Sequence, residues 1–154
     1  MLRSYLQNDL FEGIISRKEF ETLVENNLIP KNTNVIAIID PGDSFHNVDT
    51  VLFFDTFLQL AFWDIEEDIG KFKAISDKDA KDIRSFIEEV KNNGNKFLIH
   101  CSGGVSRSSA IALAVEYIVR HNGDAKKLAI EKSDITNHLR YEPNLTVFRK
   151  IMEV

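Results

Sequence analysis

The chain has a single cysteine, Cys101, in the stretch His100-Cys101-Ser102-Gly103-Gly104-Val105-Ser106-Arg107-Ser108. Cysteine and arginine bracket five small residues, two of them glycine. Before them, Lys96-Phe97-Leu98-Ile99 reads as a short strand, and after them Ser109 to Val115 opens a helical run. A strand, a tight loop and a helix N-terminus form a cradle for an anion, since the backbone N–H groups of Ser102, Gly103, Gly104, Val105, Ser106 and Arg107 can converge while the helix dipole adds positive potential. Such a setting favours a cysteine thiolate, the form that acts as a nucleophile. The expected chemistry is attack by Cys101 on a tetrahedral phosphorus, followed by hydrolysis of the covalent intermediate. Arg107 would grip two phosphoryl oxygens with its planar fork, which lysine cannot reproduce.

The loop resembles the signature of the protein tyrosine phosphatase superfamily, His-Cys-x5-Arg-Ser/Thr. Its Gly104-to-Ser108 ending is most similar to the dual-specificity branch. That resemblance implies a cysteine-based phosphatase with a thiophosphoryl-cysteine intermediate. It implies that Ser108 hydrogen-bonds the sulfur and aids its departure, and that His100 supports the loop rather than transferring protons. It also implies a general acid, an aspartate on a loop some thirty residues before the cysteine. Asp64 and Asp68 both fall near that distance. Spacing favours Asp68; the position of Asp64, directly after Phe62-Trp63 at the end of an apolar run, favours Asp64, and Asp64 is preferred.

The elements that must position these groups are legible in part. Ser16 and Glu19 have capping-box spacing, and Phe20, Leu23 and Val24 follow at helical intervals. Residues 1–30 are thus expected to be an N-terminal helical extension packing on a single domain of residues 1–154. Val35 to Ile39 is a continuous apolar run, β-branched except at Ala37, expected of a strand covered on both faces. Thr50 to Leu60 reads as one long strand or two short ones, and Ala61 to Ile75 as loop. Ser76 starts a helix with Ala80, Ile83, Ile87 and Val90 on one face, which Asn92 to Asn95 end. After the Cys101 loop comes a helix to about His121, another from Asp124 to about Lys132, and a last one near Pro143 carrying Leu145, Phe148 and Ile151. This alternation predicts an α/β fold, a mostly parallel central sheet flanked by helices on both sides. The Cys101 loop then lies at the carboxyl end of a strand, where such sheets bind ligands.

With 44% hydrophobic and 28% charged residues, the composition is that of an ordinary globular protein. A net charge of −5 argues against nucleic acid or an anionic membrane as partner. No apolar run approaches the ~20 residues that span a bilayer. One cysteine used as a thiolate needs a reducing compartment, so a cytoplasmic location is expected. His46, His121 and His138 lack partners at metal-site spacing, and neither a metal nor another cofactor is expected. The default oligomeric state is monomer. Phosphoinositide phosphatases of the superfamily that the chain resembles carry basic residues in the loop interior, so with no Lys, Arg or His there the resemblance implies a monophosphorylated substrate. The expected substrate is a phosphorylated protein or peptide, with phosphoserine and phosphothreonine accepted beside phosphotyrosine in a shallow cleft. The competing expectations are a phosphatase for a non-protein ester or an RNA 5′ end, and a non-catalytic phosphate-binding module.

Overall fold

The computed structural model describes residues 4–121 and 133–154. The fold is built around β4 (Phe97–Cys101), which ends on the cysteine. It pairs in parallel with β1 (Phe11–Ser16) on one side and β2 (Asn34–Ile39) on the other, and β2 pairs in parallel with β3 (Thr56–Ala61), giving the order β1-β4-β2-β3. Every residue of β2 and β4 is buried, which explains why their sequence is apolar apart from Asn34 and His100.

Successive side chains of a strand point to opposite faces, so each inner strand feeds two cores. Ile14, Ile36, Ile38 and Ile99 join the core formed with α3 (Asp77–Val90), α4 (Arg107–His121) and α5 (Leu145–Glu153). Ile15, Val35 and Leu98 face the other way, against Phe20 of α1 (Arg17–Glu25) and Phe54. Helices therefore flank both faces of the sheet, as the alternation predicts. Ser16 and Ser76 each close a complete capping box, with Glu19 and Asp79, so α1 and α3 start where their sequences say. Ala80, Ile83, Ile87 and Val90 are the buried face of α3, and Gly94 beyond it takes φ 79°.

Two expectations are corrected. Residues 1–30 are not only a helical extension, because β1 lies within them and is one edge of the sheet. Its partner is 86 positions away at the Phe11–Phe97 pair, and Glu12, Gly13 and a register shift between Phe11 and Gly13 blur its alternation. The Thr50–Leu60 stretch is not all strand. Residues Val48–Phe53 form a short helix, α2, whose N-terminus is capped by Asn47 Oδ1 on Thr50 N, and only the second half becomes β3. No residue of α2 is buried, and its apolar side chains imitate a strand pattern. The helix expected over 124–132 lies outside the described residues.

Candidate active site

The loop from Cys101 to Arg107 joins β4 to α4. Cys101 is buried, and its Sγ accepts a hydrogen bond from Gly104 N at 3.3 Å. Sγ and Ser108 Oγ lie 3.2 Å apart, where the thiol donates when protonated and the hydroxyl donates once sulfur is a thiolate. Ser108 is fully buried in the first turn of α4, so its hydroxyl has few competing partners.

The carbonyls of the loop are turned outward and tied. Arg140 Nε donates to Gly104 O, Glu142 N to Val105 O, and Asn144 N to Ser106 O. Ser109 Oγ adds a bond to Val105 O at 2.6 Å. A peptide whose C=O is held outside presents its N–H to the inside, so residues 140–144 orient the cradle from behind. Arg140 is itself fixed by an ion pair with Glu19, the capping-box residue of α1.

Arg107 is almost wholly buried. Its Nη1 donates to Phe62 O at 2.6 Å, and Nη2 pairs with Asp40 Oδ1 at 2.7 Å. Its Nε is buried with no hydrogen-bond partner. The second oxygen of Asp40 accepts from Ser102 Oγ at 2.9 Å. Asp64 lies across the loop, with Oδ1 accepting from Ser106 Oγ at 2.8 Å and from Asn144 Nδ2 at 3.0 Å. Asp68 is elsewhere: it accepts from Ala74 N and pairs with Lys73, stabilising its own turn. Of the two candidate acids, only Asp64 touches the loop. Gly103 is exposed with open space around it, and Val105 is half-buried. His100 is fully buried behind the cysteine. Among the described residues there is no cluster of three or more His, Cys, Asp or Glu that could hold a metal.

The arrangement of sheet and helices is shared with solved proteins. Human DUSP28 superposes with a TM-score of 0.53 at 16% identity, over 96% of this chain and 91% of that one. The human tyrosine phosphatase-like serine/threonine/tyrosine-interacting protein gives 0.51 at 20%, over 90% and 83%. PTPMT1 in complex with PI(5)P gives 0.53 at 14%, over 90% and 83%. The fold is that of the tyrosine and dual-specificity phosphatases. In sequence the likeness is short. Mouse dual specificity protein phosphatase 2 is 57% identical over 30 residues, and dual specificity protein phosphatase 1-A of Xenopus laevis 49% over 37. The matched stretches cover 20% and 24% of this chain and about a tenth of each relative's length. No family profile matches the chain.

Within this phosphatase fold, three contacts escape the sequence reading, and for Asn144, after Arg140-Tyr141, that reading leaves a place near the site and a helix start equally open. Asp40 stands in a segment that reads as a turn, Asp40-Pro41-Gly42. Asn144 reads as a helix cap and is one, accepting from Thr146 N and Val147 N, but its amide also holds Asp64. Arg140 carries no local signal at all. His46 reads as uninformative, yet its Nε2 lies 2.7 Å from Nε2 of His100, inside an aromatic surround of Phe20 and Phe57.

At that distance one Nε2 donates the proton and the other accepts it, so the two rings cannot both be charged. Burial, together with neighbouring His46, drives the pKa of His100 from 6.5 down to about 3. Burial and Arg17 lower that of His46, opposed by Glu21. As pH falls below 6.5, the unfolded chain takes up protons that the folded state refuses. Stability is therefore full above that value and declines from about 6.5 towards 3. Urea unfolding should show a loss on the order of 1 kcal/mol between pH 7 and 5.5. In His100→Asn the loss should be clearly smaller; an equal loss in both proteins would assign it to other groups.

Gly104 gives a second prediction. It takes φ 68°, and a Cβ there would meet Ile15 C and Ser16 N at 2.4 Å. Both are backbone atoms that cannot yield. Gly104→Ala should cost more than the ~1–3 kcal/mol of the strained dihedral alone. Gly103→Ala, with nothing within 4 Å of the new methyl, should leave the urea midpoint nearly unchanged. Equal midpoints for the two variants would show that the close approach of β1 to the loop is not rigid.

Proposed function

We propose that this chain is a single-domain, cysteine-dependent phosphatase that hydrolyses phosphotyrosine, with phosphoserine and phosphothreonine, in proteins or peptides. The observation that carries this reading is Cys101 Sγ, held between Gly104 N and Ser108 Oγ, in a loop that ends on Arg107.

In the first step Cys101 Sγ forms a bond to phosphorus as the bond to the ester oxygen breaks. Asp64 gives its proton to the departing oxygen, so that a neutral alcohol or phenol leaves. Arg107 and the loop amides carry the charge on the equatorial oxygens. In the second step water attacks phosphorus, Asp64 takes its proton, and the P–S bond breaks. Sulfur leaves as a thiolate, which Ser108 Oγ and Gly104 N stabilise. His100, locked neutral against His46, supports the loop and exchanges no proton with substrate.

Ser102 to Ser106 include no basic residue, and Asp40 and Asp64 flank the loop. A substrate with a second phosphate beside the first would meet those carboxylates without a compensating cation. This supports a monophosphorylated side chain over a polyphosphorylated head group, and the net charge of −5 supports protein over RNA. Among the described residues no helix is long and apolar enough to cross a membrane. The proposal also takes the chain as a monomer acting without metal or cofactor, in the reducing cytoplasm where a thiolate persists.

The test is hydrolysis of p-nitrophenyl phosphate by the purified protein, inhibited by vanadate, followed by a panel of phosphopeptides, a phosphoinositide and a 5′-phosphorylated RNA. Turnover of the peptides above the other two is expected. Preference for lipid or RNA would move the substrate class. Phosphate binding with no turnover of any ester would make the chain a recognition module.

A further inference from the structure

We propose that Asp40 is a positioning residue that orients Arg107 for the transition state, a role that rests on the phosphatase reading above. β2 and β4 are parallel neighbours with Ala37 opposite His100, so the chain three residues beyond Ala37 stands level with the loop that follows Cys101. Asp40 is the first residue past β2, and its carboxylate reaches both ends of that loop. Oδ1 holds Arg107 Nη2 at 2.7 Å and Oδ2 holds Ser102 Oγ at 2.9 Å.

The guanidinium then has two fixed acceptors, Asp40 on Nη2 and Phe62 O on Nη1. Two anchors on a planar group fix its plane and its rotation. The third nitrogen, Nε, is buried and without a partner. A buried donor left unsatisfied costs stability, and it is tolerated where a ligand supplies the acceptor. Nε and its adjacent edge are thus presented to a phosphoryl oxygen in a fixed direction. The same carboxylate ties that direction to Ser102, next to the nucleophile, so the angle between Sγ and the guanidinium is set by one side chain. The Arg107 side chain is 5% exposed and that of Asp40 is 28%, so the pair is shielded from solvent mainly on the arginine side.

An opposite role is also conceivable for a carboxylate beside an anion site, that of a counter-ion competing with phosphate for Arg107. The two are separable. Removing a negative charge strengthens every oxyanion alike, whereas lost orientation penalises the trigonal-bipyramidal geometry that vanadate adopts more than the tetrahedral geometry of phosphate. The readout is the ratio of the phosphate to the vanadate inhibition constant, which neither a reduced folded fraction nor a uniform charge effect changes.

In Asp40→Ala that ratio should fall at least about tenfold, with kcat falling at least as much, because misplacement near 1 Å at a reacting centre costs up to ~10²-fold. Asp40→Asn keeps one carbonyl acceptor for Arg107 Nη2 and should recover a part of both, which also covers the case in which the alanine variant does not fold. Both oxyanions binding more tightly in parallel, with kcat/KM retained or raised, would overturn the proposal in favour of a competing counter-ion. An unchanged ratio in the asparagine and alanine variants would overturn it too. Wild-type turnover, measured first, reports on the phosphatase reading alone. Were it absent, calorimetric binding of the same two oxyanions still gives the ratio.

Discussion

Cys101→Ser should abolish turnover and leave phosphate binding largely in place. The two functions reside in different atoms. Oxyanion binding draws on the backbone amides of the loop, the start of α4 and Arg107, held mainly by contacts that do not involve sulfur: Arg140 to Gly104 O, Glu142 N to Val105 O, Asn144 N to Ser106 O, and Asp40 to Arg107. The serine hydroxyl fits the space of the thiol and inherits its partners, Gly104 N and Ser108 Oγ, so it is not left unsatisfied. It is not ionised near neutral pH, and among the described residues no general base hydrogen-bonds Sγ to make it so. His100 and His46 are committed to each other. The loss in kcat should reach roughly 10⁴–10⁶-fold, the scale on which removal of a covalent nucleophile acts. Calorimetry with inorganic phosphate should give a dissociation constant within about tenfold of wild type, given that the variant keeps the amides and the Arg107 guanidinium that hold the anion. Activity surviving at a tenth of wild type would rule out a covalent intermediate on Cys101. Loss of phosphate binding along with turnover would mean that sulfur organises the loop as well as attacking from it.

How far the sequence reveals this site depends on whether the physics is local. The stretch from His100 to Ser108 is contiguous, and each position has its own reason: small residues for the tight loop, Gly104 for a positive φ against β1, Ser108 for the sulfur. Helices α1 and α3 are legible because a capping box and a 3.6-residue apolar period are properties of neighbours in sequence. β1 is not legible, since its evidence is a partner strand far along the chain. Nor are Arg140, Asp40 and the His46–His100 contact. Asp40 sits before Pro41-Gly42, where turn chemistry explains it completely, and only the parallel register of β2 and β4 brings it level with the loop. His46 follows from the same topology, through the loop after β2 that folds back over Phe20 and Phe57. Asn144 shows how one residue can satisfy a local rule and serve a distant one: its Oδ1 caps α5 while its Nδ2 holds Asp64. A cap explained by its own helix leaves a place near the site open without deciding it.

Asp64→Asn should depress hydrolysis of esters with poor leaving groups and spare those with good ones. A general acid matters in proportion to how badly the departing oxygen needs a proton. Serine and threonine alkoxides need one fully, tyrosine phenolate largely, and a nitrophenolate hardly at all. With phosphoserine or phosphotyrosine peptides the loss in kcat/KM should be about 10²–10⁴-fold, the range of general acid catalysis. With p-nitrophenyl phosphate it should be far smaller, and a plot of log kcat/KM against leaving-group pKa should be steeper in the variant. The asparagine can keep the bonds from Ser106 Oγ and Asn144 Nδ2 through its carbonyl, so the loop need not move and the slope isolates the proton. Asp68→Asn is the control. Asp68 accepts from Ala74 N and pairs with Lys73, away from the Cys101 loop, and its variant should show only a stability change. A steepened slope in Asp68→Asn and not in Asp64→Asn would mean that the 62–75 segment rearranges around substrate to exchange the two carboxylates. The same slope in wild type and both variants would mean that neither gives the proton, so that the acid lies elsewhere or the enzyme works only on esters whose leaving groups need none.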